Sequence, residues 1–227
     1  MSIIHLEDSE SIREWRSKSK VFGPPMVLGT TFGEEEEELF VLQLNRETPN
    51  LILTGFPEER RSEILRKIFW ELGHEVKAHV HVEVLSGNEM DLVLFPPDFN
   101  GSFHVGAQTF AVPLDRWITT LSSRNKSFLN DQFASIEDYN AKKDDLVQLS
   151  RGALVIPNLS SVEELELSAV EMIAKHGSVA GLHVIVCSDS NDTIISKHCH
   201  EIKYKSGNVA TYSSYLGEVD FEFGDNS

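Results

Sequence analysis

The sequence predicts an α/β domain whose central sheet is mostly parallel and covered by helices on both faces. The chain has 227 residues, of which 41% are hydrophobic, enough for one domain with a substantial core. Short apolar runs alternate along the chain with segments of helical period, which is the pattern of parallel strands joined by crossover helices. These runs lack the polar alternation of half-exposed strands, so we expect strands that are buried on both faces.

The N-terminal part predicts a lead-in followed by a hairpin. Residues 1–20 have a short amphipathic pattern that is partly helical. The acidic run Glu34–Glu38 then lies between two apolar stretches, and the second stretch, Leu39–Leu44, is rich in strand-forming residues. We therefore expect an antiparallel hairpin with the glutamates in a solvated loop at its tip.

Strands and helices follow in alternation. Buried strands are predicted at Asn50–Thr54, Val76–Leu85, Asp91–Phe95, Gly152–Ile156 and His183–Cys187. Helices are predicted over Ser62–Gly73, Trp117–Leu129, Ile136–Lys142 and Ser160–His176. The tail from His200 to Phe223 alternates around Gly207-Asn208 and Gly217, which indicates short antiparallel strands.

The segment Ser160–His176 has the most regular helical pattern. Its predicted apolar stripe consists of Val162, Leu165, Ala169, Val170 and Ile173. Ser160 and Glu163 have the spacing of a capping box. The remaining glutamates face away from the stripe, and they form either a solvated face or a surface for a basic partner.

The formal net charge of the chain is −16. A surface of this charge repels DNA unless basic side chains concentrate on one face. The basic residues instead form short clusters, at 13–20, 60–67 and 197–205. We therefore expect protein partners and no direct binding to DNA.

The sequence contains no sign of a membrane or secreted protein. No apolar run approaches the ~20 residues needed to span a bilayer, and the acidic N-terminus does not resemble a secretory signal. Cys187 and Cys199 are too few for a disulfide framework in a chain of this length. We expect a protein of the reducing cytoplasm. Met1 and the polar ending FGDNS fit either a complete protein or one part of a larger one.

The connection after the first buried strand has the spacing of a phosphate-binding loop without its residues. The pattern G-x-x-x-x-G-K-[ST] needs glycines for close backbone approach, a lysine for the phosphate charge and a hydroxyl for magnesium. In Gly55–Ser62 the first glycine and the serine are present, but Arg60 replaces the second glycine and Arg61 replaces the lysine. Glu58 and Glu59 also bring negative charge towards an anionic ligand.

Two interpretations of this connection stay open. It is either an ordinary strand-to-helix turn with exposed charges, or an anion site in which Arg60 and Arg61 act at the start of a helix. The strand Gly152–Ile156 should end in the acidic residues that hold magnesium and activate water for phosphoryl transfer. Pro157 and Asn158 stand there instead, and neither can accept a proton from water.

No set of metal ligands is apparent. His79 and His81 lie on the same side of a predicted strand, and His198, Cys199 and His200 precede the C-terminal strands. Neither group has the further ligands of a zinc site nearby in the sequence. We interpret both as polar surface positions and predict no metal site.

Three stretches of the chain follow the pattern of one family in a single register. Leu92–Asp98 (LVLFPPD) resembles a strand whose sequence in the family is ILIDPK. Pro96 and Asp98 stand at the Asp and Lys positions of that strand. Tyr139-Asn140 matches the end of its R-x-I-x-x-Y-N stretch. Gly177–His183 (GSVAGLH) keeps both glycines, the second alanine and the histidine of GRAAGIH. In these stretches the chain resembles the motor domain of the FtsK/SpoIIIE DNA translocases and the related EccC/EssC ATPases of type VII secretion.

The resemblance implies a RecA-like P-loop NTPase fold, in one domain over residues 21–227. The departures from the family fall on its chemistry. Besides the changes at Arg60, Arg61, Pro157 and Asn158, Ser178 stands where the family has a trans-acting arginine, and Asp189 where it has a sensor glutamine. The matching residues are those expected to shape the scaffold.

We therefore expect a non-catalytic pseudo-ATPase that binds neither ATP nor magnesium and acts as a structural or regulatory interaction module. The resemblance implies, as its partner, an active ATPase paralogue or a subunit of a secretion or DNA-processing machine. Homo-oligomerisation and a place at the cytoplasmic face of a membrane machine stay open. The alternative function is a nucleotide or anion sensor that uses Arg60 and Arg61 without hydrolysis.

Overall fold

One sheet of eleven strands forms the centre of the protein. The computed structural model describes residues 2–5, 13, 18, 21, 23–31, 38–73, 80–89, 91, 101–144, 146–191 and 193–224. Within these residues the strand order is β1-β3-β2-β11-β10-β9-β4-β8-β7-β5-β6.

Six contiguous strands of the sheet are parallel. They are β4 (Leu51–Thr54), β5 (Val80–Ser86), β6 (Gly101–Val105), β7 (Arg151–Ile156), β8 (Leu182–Ser188) and β9 (His200–Ser206). The central strands β4 and β7 are buried at every position. This confirms the prediction of buried parallel strands, because a strand covered on both faces needs no polar alternation.

The remaining five strands are antiparallel and continue the same sheet. They are β1 (Ser2–His5), β2 (Pro25–Thr31), β3 (Glu38–Gln43), β10 (Val209–Ser214) and β11 (Gly217–Glu222). The predicted N-terminal hairpin and the antiparallel tail are both confirmed. They meet where β11 pairs with β2, so the two ends of the chain complete one half of the sheet.

Helices cover both faces of the parallel strands. The α-helices whose ends both lie in the described residues are α1 (Glu58–Gly73), α2 (Ala111–Asp131), α3 (Ile136–Ala141) and α4 (Glu164–His176). Ile64, Leu65, Ile68, Phe69 and Leu72 of α1 share one core with Leu51 and Leu53 of β4. On the other face, α2 and α4 pack with Ile52 of β4. The predicted apolar face of α1 is confirmed, since each of its five residues is at most 1% exposed.

Three local predictions were wrong. Residues 2–5, placed in a partly helical lead-in, form a strand that pairs with β3, while Arg13 of the same lead-in is helical as predicted. The last predicted helix begins at Glu164, because a single 3-10 turn occupies Leu159–Ser161, and the N–H of Glu163 donates to Glu166 Oε2 at 3.3 Å. The capping pair is therefore Glu163 with Glu166. Leu165, assigned to the apolar stripe, is 86% exposed.

Several predictions lie outside the described residues. They are the hairpin tip at Glu34–Glu37, the strand residues 76–79 and 92–95, His79, and the matched positions Pro96 and Asp98. Of the predicted strand Asp91–Phe95 only Asp91 is described, and it lies in a 3-10 turn.

Candidate functional site

The candidate site lies at the edge of the sheet where the parallel strands end. Thr54 at the end of β4 pairs in register with Ser188 at the end of β8, so the connections after these two strands are neighbours. β8 separates β4 from β7, the strand that ends before Pro157. Ligands of open α/β sheets bind at this edge, so these connections form the candidate functional site.

The connection between β4 and α1 is three residues long, Gly55 to Pro57. Gly55 has a φ of +70°, a conformation that glycine adopts without strain, and Phe56 turns its ring into the core beside Tyr204 and Phe223. Only the N–H groups of Gly55 and Phe56 are available in the connection, since proline has none. The chain enters α1 at Glu58, before it has formed a loop long enough to surround a phosphate.

The helix itself uses the groups that a phosphate-binding loop directs at its ligand. The backbone N–H of Arg61 donates to Pro57 O at 2.9 Å, and the hydroxyl of Ser62 donates to Glu58 O at 3.0 Å. Both are bonds of the first helical turns. Glu58 and Glu59 add negative charge to that same turn. The start of α1 is thus acidic, which disfavours a nucleotide phosphate there. The Ser62 hydroxyl, at the position of the magnesium ligand, is directed to the backbone of its own helix.

Arg60 and Arg61 are each held by a carboxylate. Arg60 Nη1 lies 2.7 Å from Glu63 Oε2, and this hydrogen bond raises the pKa of the exposed Arg60 guanidinium above its ordinary value. Arg61 Nη2 lies 3.6 Å from Asp189 Oδ1 and donates to Phe56 O at 3.5 Å. The fold therefore brings together two of the predicted site positions, Arg61 and Asp189, as an ion pair.

Pro157 and Asn158 have local structural roles. Pro157 is buried at the end of β7. Asn158 Oδ1 accepts hydrogen bonds from the N–H of Ser160 at 3.1 Å and from its hydroxyl at 2.8 Å, and so caps the 3-10 turn before α4. Within the described part of the chain, no hydrogen bond or ion pair joins either residue to the β4–α1 connection.

Ser178 lies away from the other predicted positions. It begins a 3-10 turn, Ser178–Ala180, that leads into the amino end of β8, whereas Asp189 follows the carboxyl end of that strand. Ser178 instead lines a cavity with Arg46 and Lys175. The structure thus divides the predicted positions between two edges of the sheet.

The residues that match the family pattern hold the backbone in place. The Asn140 side chain bridges to Leu149, accepting from its N–H at 2.8 Å and donating to its O at 2.9 Å. Gly181 has a φ of +71°, and an added Cβ would lie 2.4 Å from Ile136 Cδ1. His183 is fully buried with Nδ1 2.6 Å from Pro49 O, and burial lowers its pKa to about 3, helped by the nearby positive charge of Arg151.

A buried carboxylate cluster was not predicted from the sequence. Glu83 on β5 is 0% exposed, and its carboxylate accepts hydrogen bonds from Arg116 and from the indole N–H of Trp117. His104 Nε2 lies 2.7 Å from the same carboxylate. The only local sequence signal of this cluster is the charged residue Glu83 within an apolar strand. A charged residue in such a strand fits an exposed edge position equally well.

Other chemical sites are limited in the described residues. Among them, no group of three or more His, Cys, Asp and Glu side chains could hold a metal ion. Cys187 and Cys199 are both free, and burial raises the pKa of each thiol to about 12. None of the described helices combines the length and hydropathy required to cross a membrane.

In fold, the chain is similar to P-loop ATPase domains of the FtsK/SpoIIIE type, as the sequence resemblance predicted. No protein-family model and no curated protein sequence matches it. Its similarity to solved structures includes EssC (ATPases 2 and 3) from Geobacillus thermodenitrificans, with a TM-score of 0.72 and 10% identity over 91% of this chain and 46% of that one.

Two further structures agree. EccC (ATPases 2 and 3) from Thermomonospora curvata, in complex with a signal sequence peptide, has a TM-score of 0.70 and 16% identity over 90% of this chain and 44% of that one. The pCW3 conjugation coupling protein TcpA, in its monomer form with ATPγS, has a TM-score of 0.68 and 13% identity over 97% of this chain and 82% of that one. The chain thus spans less than half the length of the EssC and EccC structures. At these identities the likeness is one of fold.

Proposed function

We propose that this protein is a non-catalytic pseudo-ATPase module with a RecA-like P-loop NTPase fold. The observation that carries the proposal is the three-residue β4–α1 connection, after which α1 begins at Glu58 with two carboxylates in its first turn and with the Ser62 hydroxyl donating to Glu58 O. A nucleotide needs a loop that surrounds its phosphates, a cation beside them and an acidic magnesium ligand. Arg61 is paired with Asp189, and Pro157 and Asn158 stand where the acidic residues would be.

The strand order supports the RecA-like assignment. β8 lies between β4, which precedes the degenerate phosphate loop, and β7, which precedes Pro157. In this arrangement the phosphate loop follows β4 and the expected magnesium ligands follow β7, which are not adjacent strands. The sensor position follows β8, the strand between them. Asp189 follows that middle strand and reaches Arg61, which is the geometry expected if the scaffold has been retained and its chemistry lost.

We propose that the module acts by binding an active ATPase paralogue or a subunit of a secretion or DNA-processing machine, in the cytoplasm or at the cytoplasmic face of a membrane. The outer face of α4 supports this role. Leu165 is 86% exposed and Met172, two helical turns further on, is 49% exposed. Glu163 and Glu164 are exposed beside them, so this face suits a partner with a basic and partly apolar surface.

Titration calorimetry and a turnover assay test the loss of catalysis. With ATP and Mg²⁺ at millimolar concentration, we expect no heat of binding that depends on the β4–α1 connection. We also expect no release of phosphate above the rate in buffer alone. Micromolar binding with turnover would overturn the proposal. Arg61→Ala serves as the diagnostic variant, because any nucleotide that uses this connection must contact the position of Arg61.

Capture of the partner tests the interaction role. The double variant Leu165→Arg/Met172→Arg should lose a partner ATPase that the unaltered chain retains from its native source. Leu129→Arg is the matched control, since Leu129 is 80% exposed but lies on α2. Equal capture by the double variant and the control would remove the outer face of α4 from the proposal.

The alternative of an anion sensor at Arg60 and Arg61 has weaker support. Glu63 Oε2 lies 2.7 Å from Arg60 and Asp189 Oδ1 lies 3.6 Å from Arg61, so an anion would compete with a carboxylate at each guanidinium group. A rise in melting temperature with millimolar ATP or sulfate that Arg61→Ala abolishes would favour the sensor. We expect no such rise.

A further inference from the structure

The cavity that Ser178 lines opens at the amino ends of the parallel strands and extends along the sheet to Asn191, which follows the carboxyl end of β8. It has a volume of about 500 Å³ and opens between the end of α4, the 3-10 turn Ser196–His198 and the turn between β10 and β11. Pro49, Ser178 and His200 place it at the amino ends of β4, β8 and β9. Its volume falls within the roughly 300–1,000 Å³ of typical small-molecule sites.

The charge of this cavity is opposite to that of the whole chain. The protein has 36 acidic and 20 basic residues, yet the basic side chains Arg46, Lys175 and Lys197 line the cavity against one carboxylate, that of Glu201. Glu201 is already engaged by the Thr54 hydroxyl and, at 3.0 Å, by the Asn191 amide. The cavity is therefore a local region of positive potential on an acidic protein.

Two of the three cations are available to a ligand. Within the described part of the chain, neither Arg46 nor Lys175 forms an ion pair, and both side chains are exposed. Lys197 Nζ lies 2.9 Å from Glu171 Oε1, on the helix behind the cavity wall. Arg46 and Lys175 are thus the groups with unused charge, while Lys197 is held in place at the cavity wall.

Further polar groups and one aromatic ring complete the lining. His198 Nε2 is buried without a hydrogen-bond partner in the described residues, at 3.8 Å from Glu171 Oε1. Ser178 adds a hydroxyl to the same wall. Tyr215, 73% exposed, lies at the rim with its ring centroid 5.8 Å from that of His200. Cationic groups, the Ser178 hydroxyl and an exposed aromatic ring therefore line one cavity.

We propose that this cavity binds a small phosphorylated molecule of about the size of a nucleoside monophosphate. Arg46 and Lys175 hold the phosphoryl group, since paired cations and charge-assisted hydrogen bonds are the strongest contacts that a protein makes with phosphate. Tyr215 contacts the organic part, because an aromatic ring offers a flat apolar surface to a base or a sugar. This site is independent of Arg60 and Arg61 and goes beyond the interaction role proposed above.

Titration calorimetry with AMP, inorganic phosphate and adenosine tests the proposal. AMP should bind most tightly, inorganic phosphate more weakly and adenosine not measurably. Arg46→Ala/Lys175→Ala should weaken AMP binding by roughly tenfold or more, because two charge-assisted contacts are lost. Tyr215→Ala should weaken AMP binding and leave phosphate binding unchanged.

The matched control removes the same charge elsewhere. Arg66 and Lys67 line another cavity with a basic wall, on α1, and Arg66→Ala/Lys67→Ala should change AMP binding by less than about twofold. All four substituted residues have side chains at the surface, and circular dichroism checks that each variant is folded. Arg61→Ala should likewise leave AMP binding unchanged, which separates this cavity from the degenerate loop.

Each other outcome counts against the proposal. The absence of AMP and phosphate binding at millimolar concentration would overturn it, as would an equal loss in the two double variants, which indicates general electrostatic attraction. A loss confined to Arg61→Ala would assign the anion to the β4–α1 connection. Tight binding of adenosine alone would show that the cavity does not recognise phosphate.

Discussion

Replacing Gly181 by alanine should destabilise the protein by a defined steric mechanism. The backbone at Gly181 has a φ of +71°, and an added Cβ would lie 2.4 Å from Ile136 Cδ1 and 3.1 Å from Ile136 Cγ2. Ile136 is 0% exposed, so its side chain has no free space to move into. The variant therefore combines a left-handed backbone with overpacking of the core.

The expected magnitude comes from two terms. A Cβ in the left-handed region costs about 1–2 kcal/mol, and inserting a methyl group into a packed core costs typically about 1–3 kcal/mol. We expect Gly181→Ala to lower the free energy of unfolding by about 2–5 kcal/mol. Gly207→Ala is the matched control: its φ is +59°, but nothing lies within 4 Å of an added Cβ, so only the first term applies.

Urea unfolding, followed by circular dichroism, measures both variants. A double-mutant cycle with Ile136→Val then isolates the clash, because valine lacks the Cδ1 atom that lies at 2.4 Å. Ile136→Val alone should cost about 0.5–1.5 kcal/mol, and the double variant should be more stable than the sum of the single effects implies. Equal destabilisation by Gly181→Ala and Gly207→Ala, or strict additivity in the cycle, would refute the steric explanation.

Three further predictions concern buried polar and titratable groups. Glu83→Ala should lower the free energy of unfolding by about 1–3 kcal/mol, since it leaves the buried indole N–H of Trp117 without its acceptor, whereas the exposed control Glu47→Ala should stay within about 0.5 kcal/mol in the same urea titration. Cys187 and Cys199, each with a thiol pKa of about 12, should resist a thiol reagent at pH 8 in the folded protein and react once urea unfolds it, as read by absorbance. His183 has a folded pKa of about 3 against an ordinary 6.5, so its neutral form favours folding above pH 6.5 and this stability is lost as the pH falls towards 3. His183→Gln should accordingly flatten the fall of unfolding free energy between pH 6.5 and 4, and an unchanged slope would contradict the assigned pKa.

Strands β4, β5, β7 and β8 and helix α1 were predictable because their signals are local, whereas strand β6 (Gly101–Val105) was not predicted. The apolar runs at β4, β7 and β8 fix buried strands, and the spacing of the apolar residues on α1 fixes the face that packs against them. The errors arose where tertiary contacts decide. Leu165 matches the helical period of α4 but lies beyond the reach of the sheet, so period alone placed it in the core.

The candidate site was predictable only in part. Spacing identified the strand, turn and helix around Gly55–Ser62, but the length of the turn depends on where the helix begins, and boundaries are poorly determined by sequence. The ion pair between Arg61 and Asp189 joins residues far apart in the chain. The basic cavity was unpredictable for the same reason, because Arg46, Lys175 and Lys197 come from three separate segments and no local pattern relates them.

In the proposed pseudo-ATPase, the backbone of the β4–α1 connection disfavours a nucleotide more than any single side chain does. Exchanging Arg60 and Arg61 for glycine and lysine would restore residue types, but α1 would still begin three residues after Gly55, with Phe56 anchored in the core. A phosphate-binding loop adds the N–H groups of several loop residues to those at the helix start, and here the N–H of Arg61 already donates to Pro57 O within the helix. Meanwhile Asn140, Gly181 and His183 hold the other side of the sheet through contacts that involve no ligand. The fold can therefore persist without nucleotide, because the contacts that stabilise it lie outside the connection where the nucleotide would bind.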